Sequence, residues 1–351
     1  MTDNDSKVSK NFPSRIKIIK DCIYGHIHIS ALCIKFMDVP EFQRLRRVKQ
    51  LGMAHYVYPS ASHTRFEHSL GVMHMAGRMI DQLRNFVEIS DRTKDLVQLA
   101  GMYHDIGHFA YSHLFDKFLK CHDVGDDLDP IFKLKDHEER SVFFLRQVNN
   151  RLQLLTEEEE LLVENIISGH IPSRDPGLPM WASLTSNIFH PFLYEIVCNS
   201  ECGLDVDKLD YVNRDSMHTG LPGFQADYIL LNALIDKDGH LAFREKARRD
   251  IHDMYESRHR MYENVYQHHT SLKMDKLYYC MLQRLGPKTF QYGQQTDDFN
   301  METLIRYSEE TKELMVQVEA RQLIHDCEHC REFSCIRKYC PSGSIEEVRF
   351  I

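Results

Sequence analysis

The sequence predicts a mainly α fold, a compact helical bundle with small β-hairpin additions, and three observations carry that prediction. Leu96, Leu99, Ala100 and Tyr103 recur at helical spacing. Thr156 and Glu159 stand as a capping box, which starts a helix running through Ile167. Long helical patterns fill residues 248–285 and 301–325. Strand signals are confined to two short stretches. Ile16, Ile18, Ile27 and Ile29 flank the turn Asp21–Gly25, and Leu234–Phe243 carries a second hairpin turn at Gly239.

Taken in order, residues 1–14 read as a disordered N-terminus. After the first hairpin, Pro40 opens a helix over Glu41–Leu51 with Phe42, Leu45 and Val48 on one face. A further helix is expected over His68–Phe86, with Leu70, Met73, Gly77 and Ile80 inward. Ser173–Met180 reads as a loop from its Pro and Gly content. The expected division is 1–14, a main domain over 15–290 and a Cys-rich helical extension over 291–351.

Composition narrows the function classes. The chain has 351 residues, 42% apolar and 27% charged, which is ordinary for a soluble globular protein. A net charge of −9 argues against a large basic face for duplex DNA, so tight nucleic-acid binding is not expected. No apolar run is long enough to span a bilayer, so no membrane is expected. The polar start Met1–Lys7 is no signal peptide. Ten cysteines without a secretory signal read as reduced thiols, which places the chain inside the cell, in nucleus or cytoplasm, not secreted. The 21 histidines justify looking for a metal.

The stretch Leu99–His113 organises the search. It holds His104-Asp105-Ile106-Gly107-His108 at the end of a buried helical pattern. Adjacent side chains diverge from a helix, so both reach one ion only near a helix end, where Gly107 frees the backbone. A divalent metal offsets the cost of burying an imidazole beside a carboxylate. The competing reading is a hydrogen-bonded or pH-sensitive histidine cluster. His68, at the start of the next helical pattern upstream, offers a third ligand, with Arg65 one turn before it as a fork for phosphate. His108, His113 and His137 suit proton transfer, because histidine titrates near working pH. Asp207, Tyr211 and either Arg214 or Asp215 share a helix face that can hold metal, sugar and base edges, or can be a solvated salt-bridged face. Arg258, Tyr262, Tyr266 and His269 follow one stripe, suited to phosphate contact and base stacking or simply to a core.

The order His68 … His104-Asp105 … Asp207, with its context Phe42–Gly52, Ser62–Gly71, Asp205–Tyr211 and Tyr266-Gln267-His268, resembles the HD superfamily of metal-dependent phosphohydrolases. Within it, the chain is similar to the SAM- and HD-domain deoxynucleoside triphosphate triphosphohydrolases from about Ile16 to about Leu285. The resemblance implies an HD-domain helical bundle. It also implies that His68, His104, Asp105 and Asp207 bind a transition metal, zinc or iron, with magnesium accompanying the substrate phosphates. By the same resemblance His137, His113 and His108 are catalytic or active-site histidines. Gln50, Leu51, Arg65, Lys208, Tyr211, Asp215, Arg258, Tyr262, Tyr266 and Gln267 contact substrate. Lys17, Ile18, Asp38, Gln43, Arg46, Arg244, Lys246 and His268 contact a GTP or dGTP effector. The implied partners are a dNTP substrate, that effector and a second copy of the chain, as dimer or tetramer.

The chain departs from the family pattern at Tyr262, where histidine is common, at Leu230, where arginine is expected, and at His269, where lysine is expected. No SAM domain precedes the HD region, and most of the C-terminal lobe is missing, which bears on activation and tetramerisation. The tail Cys327-x-x-Cys330 … Cys335 … Cys340 admits a structural zinc or loose reduced thiols. The expected activity is hydrolysis of dNTPs to deoxynucleoside and inorganic tripolyphosphate. The alternatives are another HD-type nucleotidase or phosphodiesterase, and a catalytically weak nucleotide sensor or single-strand nucleic-acid binder.

Overall fold

A computed structural model describes residues 17–121, 129–172, 191–285, 296–298, 302, 306–320 and 348–351. The expected disordered N-terminus, the Ser173–Met180 loop and the cysteine tail lie outside the described residues. The architecture is mainly helical with two small antiparallel sheets, as the sequence predicts. No helix among the described residues is long and apolar enough to cross a membrane.

The first hairpin pairs β1 (Lys17–Asp21) with β2 (Gly25–Ile29), Asp21 opposite Gly25. The Asp21 carboxylate accepts from the Ile23 and Tyr24 N–H groups and closes the turn. Helix α1 (Ala31–Met37) follows, capped by Ser30.

The helix expected over Glu41–Leu51 is much shorter. Helix α2 (Pro40–Gln43) gives way to a 3-10 turn at Arg44–Arg47, because the next N–H groups bond elsewhere. Lys49 donates to Asp297 and Gln50 donates to the His63 carbonyl. Phe42, Leu45 and Val48 are nonetheless all buried, as the spacing predicts.

Two long helices frame the site. Helix α3 (Arg65–Leu83) starts three residues before the expected His68, and α4 (Asp91–Tyr103) is capped by Ser90. The buried faces of α3 and α4, from Leu70 to Leu83 and Leu96 to Tyr103, belong to one continuous core. Helices α5 (His113–Cys121), α6 (His137–Leu152), α7 (Glu157–Ser168) and the short α8 (Pro191–Glu195) complete this half. The Thr156–Glu159 capping box is present, and α7 ends at Gly169 in the left-handed region. Helix α9 (Val206–Thr219), N-capped by Asp205, packs on α3.

Helix α10 (Ala226–Leu231) leads into the second hairpin, β3 (Ala233–Ile235) with β4 (Leu241–Phe243). The C-terminal residues Arg349–Ile351 join β4 through Phe243. The helical pattern over 248–285 resolves into α11 (Arg248–Met261), a π-helical turn at Tyr262–Tyr266 and α12 (His269–Leu285). Helix α13 (Glu309–Glu319), capped by Ser308, lies within the pattern expected over 301–325 and packs on α12.

Candidate active site

His104 is the C-cap of α4, so it and Asp105 stand where the chain leaves the helix. His68 comes from the first turns of α3 and Asp207 from the first turn of α9. The Nε2 atoms of His68 and His104 lie 3.0 and 3.3 Å from Asp207 Oδ1, and 3.4 and 3.5 Å from Asp105 Oδ2. Each ring is turned to present that nitrogen. His68 Nδ1 faces Asp210 Oδ2 at 2.8 Å, and His104 Nδ1 faces the Gly101 carbonyl at 2.8 Å. His104 Nε2 is buried and finds no aligned hydrogen-bond partner. The ligand atoms of His68, His104 and Asp105 lie within 4.8 Å of one another, Asp207 Oδ1 lies beside both imidazoles, and the other ring nitrogens are fixed by oxygen acceptors, an arrangement that fits a divalent cation.

The loop Asp105–His108 is held from both sides. Arg44 donates to the Ile106 and His108 carbonyls, and Arg140 donates to that of Gly107 at 2.8 Å. Ser141 Oγ donates to the His104 carbonyl at 2.6 Å and accepts from Gly107 N–H at 2.9 Å. Gly107 is required by close approach here. A Cβ would sit 2.1 Å from the His137 carbonyl oxygen. Gly71 is required for the same kind of reason, since its Cβ would fall 1.9 Å from Asp210 Oδ1.

Beside the cation site lies a second cluster. Asp116 Oδ2 faces the Nδ1 atoms of His108 and His113 at 3.5 Å and that of His137 at 3.4 Å. His108 and His137 stack with centroids 4.0 Å apart. Their environments push them in opposite directions. Burial lowers His137, but Asp116, Glu138 and Asp105 more than offset it and hold it above the usual imidazole value. Burial, Arg65 and His137 hold His108 well below that value. The His113 ring, by contrast, is exposed, with one nitrogen facing Asp116. Burial raises the Asp105 and Asp116 carboxyls, yet their neighbours hold both well below the ordinary range: Arg65 and His104 at Asp105, hydrogen bonds from His113 and His137 with the Arg140 charge at Asp116. Because Arg140 already pairs with Asp116, this cluster suits proton handling better than a second cation.

The residues expected to contact substrate come from α3, α9, α11, the π-helical turn and the loops beside them. Arg65 donates to Asp105 and, through Nε at 2.9 Å, to Ser112 Oγ. Arg258 donates to Tyr211 Oη at 2.8 Å, with its guanidinium 5.1 Å from the Tyr262 ring. Tyr266 Oη donates to Asp215 Oδ2 at 2.6 Å, and His63 Nε2 lies 2.8 Å from Asp215 Oδ1. Asp215 therefore shares a face with Tyr211 and Asp207. Arg214 turns the other way, to Asp210 and Asp21, which settles the alternative left open by spacing. Lys208 is held by Asp205 at 2.9 Å. Gln50 is buried with Oε1 unpartnered, whereas Gln267 is exposed.

A family model described as "HD domain" matches residues 65–215, a range that includes His68, His104, Asp105 and Asp207. The chain belongs to the HD-domain proteins. Its curated relatives include the bovine protein named deoxynucleoside triphosphate triphosphohydrolase SAMHD1, 38% identical over 270 residues, 72% of this chain and 45% of that one. The human SAMHD1 is 31% identical over 95% of this chain and 57% of its own length. A Dictyostelium discoideum SAMHD1 homolog is 32% identical over 76% of this chain and 48% of its own. The chain spans about half the length of the curated relatives it matches.

Within this HD-domain protein the expected effector positions fall into separate groups. Lys17 pairs with Asp38 at 3.1 Å on the surface, beside the exposed Ile18. Gln43 Oε1 accepts from Arg46 at 2.8 Å, and the Arg46 guanidinium lies 3.6 Å from the Phe66 ring. Arg244 and Lys246 follow β4, the Lys246 ammonium 5.9 Å from the Tyr228 ring. His268 Nδ1 accepts from Thr270 N–H at the start of α12, which is a capping role. His269 opens α12 and stacks on His268, so the stripe from Arg258 holds through Tyr266 and breaks there.

Sequence reasoning missed five supporting residues: His63, Asp116, Asp210, Arg44 and Arg140. Asp116 and Asp210 had a usable signal, being one turn from His113 and Asp207 respectively. The contacts of Arg44 and Arg140 are made across the fold and leave no local pattern.

Proposed function

We propose that this chain is a metal-dependent phosphohydrolase that cleaves dNTPs to deoxynucleoside and inorganic tripolyphosphate. One observation supports it most. His68 and His104 turn their Nε2 atoms to both Asp105 and Asp207, and Asp105 also faces the proton-handling cluster through Oδ1, 3.3 Å from His108 and 3.6 Å from His137. Zinc or iron suits this nitrogen–oxygen set, with magnesium on the substrate phosphates. Bound there, the cation would polarise a phosphate oxygen and acidify a water.

The chain's own residues do the rest. Arg65, Lys208 and Arg258 hold the phosphate charge as it develops in the transition state. The new bond forms between water oxygen and the α-phosphorus, and the bond from that phosphorus to the sugar 5′-oxygen breaks. His137, held above the usual imidazole value by Asp116 and Glu138 against its burial, donates a proton to the leaving oxygen. His113, its ring open to solvent and one nitrogen facing Asp116, takes the proton of the incoming water. Asp215, fixed by His63 and Tyr266, frames the deoxyribose beside Tyr211 and leaves no room for a 2′-hydroxyl.

The surface group Lys17, Asp38, Gln43 and Arg46 is proposed to take a guanine nucleotide that favours self-association from a resting dimer. The SAMHD1 relatives, named deoxynucleoside triphosphate triphosphohydrolases, support the substrate class. The deciding experiment is product analysis with dGTP. Tripolyphosphate and deoxyguanosine support the reading. Other phosphate products point to a different HD nucleotidase or phosphodiesterase, and no product to a sensor or single-strand nucleic-acid binder.

A further inference from the structure

A carboxylate beyond α12 reaches into the site from outside the HD match. Asp297 is 1% exposed, and its two oxygens accept from two backbone N–H groups: Oδ2 from Lys49 at 2.9 Å and Oδ1 from Tyr111 at 2.8 Å. These donors lie 248 and 186 residues away in sequence. Lys49 immediately precedes Gln50. Tyr111 and Ser112 form the turn that leads into α5 at His113.

That turn is strained. Tyr111 and Ser112 take φ of 59° and 55°, two successive non-glycine residues in the left-handed region. That conformation is unfavourable for a residue with a Cβ and persists only where its surroundings over-determine it. Three contacts do so here. Asp297 holds the Tyr111 N–H, the Tyr111 ring packs on Tyr278 of α12 at 4.2 Å, and Ser112 Oγ donates to the Lys49 carbonyl at 2.8 Å. Held this way, Ser112 Oγ also accepts from Arg65 Nε at 2.9 Å, and Arg65 in turn pairs with Asp105.

We propose that Asp297 is a positioning residue of this site, its carboxylate joining the Lys49 segment to the Tyr111–Ser112 turn so that Arg65 and His113 stand in their working arrangement. The activity arm of this inference rests on the phosphohydrolase reading above. The structural arm does not. No neutral side chain of the same shape replaces the carboxylate. An Asn amide accepts from one N–H and points its own N–H groups at the other. The lost acceptor frees one backbone donor and with it the turn.

The test compares wild type with Asp297→Asn, using the exposed neighbour Asp298→Asn as control. Hydrogen exchange is read on peptides covering 47–52 and 109–114, alongside thermal melts and dGTP turnover. The expected result for Asp297→Asn is faster exchange confined to those two peptides, a retained cooperative melt, and kcat lower on the order of 10- to 100-fold with a smaller change in KM, since misplacing reacting groups by about 1 Å costs that much. The control changes neither. Unchanged exchange in the two peptides overturns the proposal, as does an unchanged kcat. A melt that loses cooperativity altogether also overturns it and leaves Asp297 a core carboxylate only. If wild type itself yields no product from dGTP, the phosphohydrolase reading fails, and the exchange result decides the role of Asp297 by itself.

Discussion

Gly107→Ala tests whether the loop after α4 and the start of α6 work as one unit. The added Cβ would lie 2.1 Å from the His137 carbonyl oxygen, 2.6 Å from the Ser141 nitrogen and 2.8 Å from the Arg140 Cβ. Two of these are backbone atoms, so no side chain can swing aside. Interiors are packed at van der Waals contact, so α6 must retreat by roughly 1 Å. That movement stretches three bonds: Arg140 to the Gly107 carbonyl (2.8 Å), Gly107 N–H to Ser141 (2.9 Å) and Ser141 to the His104 carbonyl (2.6 Å). Overpacking of this kind costs about 1–3 kcal/mol of stability. The same shift carries His137 away from Asp105 and should lower kcat on the order of 100-fold. Denaturant melts give the first number and steady-state dGTP turnover the second. Of the expected cation ligands, His68 stands on α3 and Asp207 on α9, which the retreat of α6 does not move, so metal content should stay near wild type. A variant with unaltered stability and unaltered kcat would refute the reasoning.

Three further outcomes are expected. Wild type should hydrolyse dGTP far better than GTP, and Asp215→Ala should raise KM and lower kcat together, as removal of an orienting carboxylate does; equal kcat/KM for dGTP and GTP in wild type contradicts this. Burial and Arg78 lower the His74 imidazole to about 4, so the unfolded chain binds more protons than the folded one between that value and the ordinary one near 6.5. Stability should therefore fall as pH drops through that window, by up to about 1 kcal/mol per pH unit, and His74→Gln should flatten the slope measured by urea midpoints at pH 7 and 5. Sedimentation and dATP turnover with and without GTP should show GTP-stimulated association and rate in wild type and neither in Asp38→Ala. A wild type indifferent to GTP leaves Asp38, Gln43 and Arg46 without an effector role.

Legibility in the sequence followed the range of the interaction. The hairpin at Asp21–Gly25, the Thr156 capping box and the inward face of α3 depend on neighbours within a few residues, and each was readable. So was the place of His104 and Asp105 at a helix end, because that requirement is local. Gly107 was singled out for the wrong reason. It is needed because α6 crosses against it, and a packing contact between residues 30 apart in sequence leaves no periodicity. The helix over Glu41–Leu51 failed on the same ground. Its later N–H groups are claimed by His63 and Asp297, partners that only the tertiary fold supplies. The π-helical turn at Tyr262–Tyr266 breaks the stripe for the same reason, since it brings Tyr266 onto Asp215.

The central claim is that His68, His104, Asp105 and Asp207 hold one catalytic cation. The most direct measurement is metal content per chain, by elemental analysis of the purified protein, read together with dGTP turnover in wild type, His104→Ala and Asp207→Ala. The account predicts close to one transition-metal ion per wild-type chain, lowered content and no detectable hydrolysis in either variant. Undiminished turnover by a metal-free His104→Ala, Asp207→Ala double variant would contradict it.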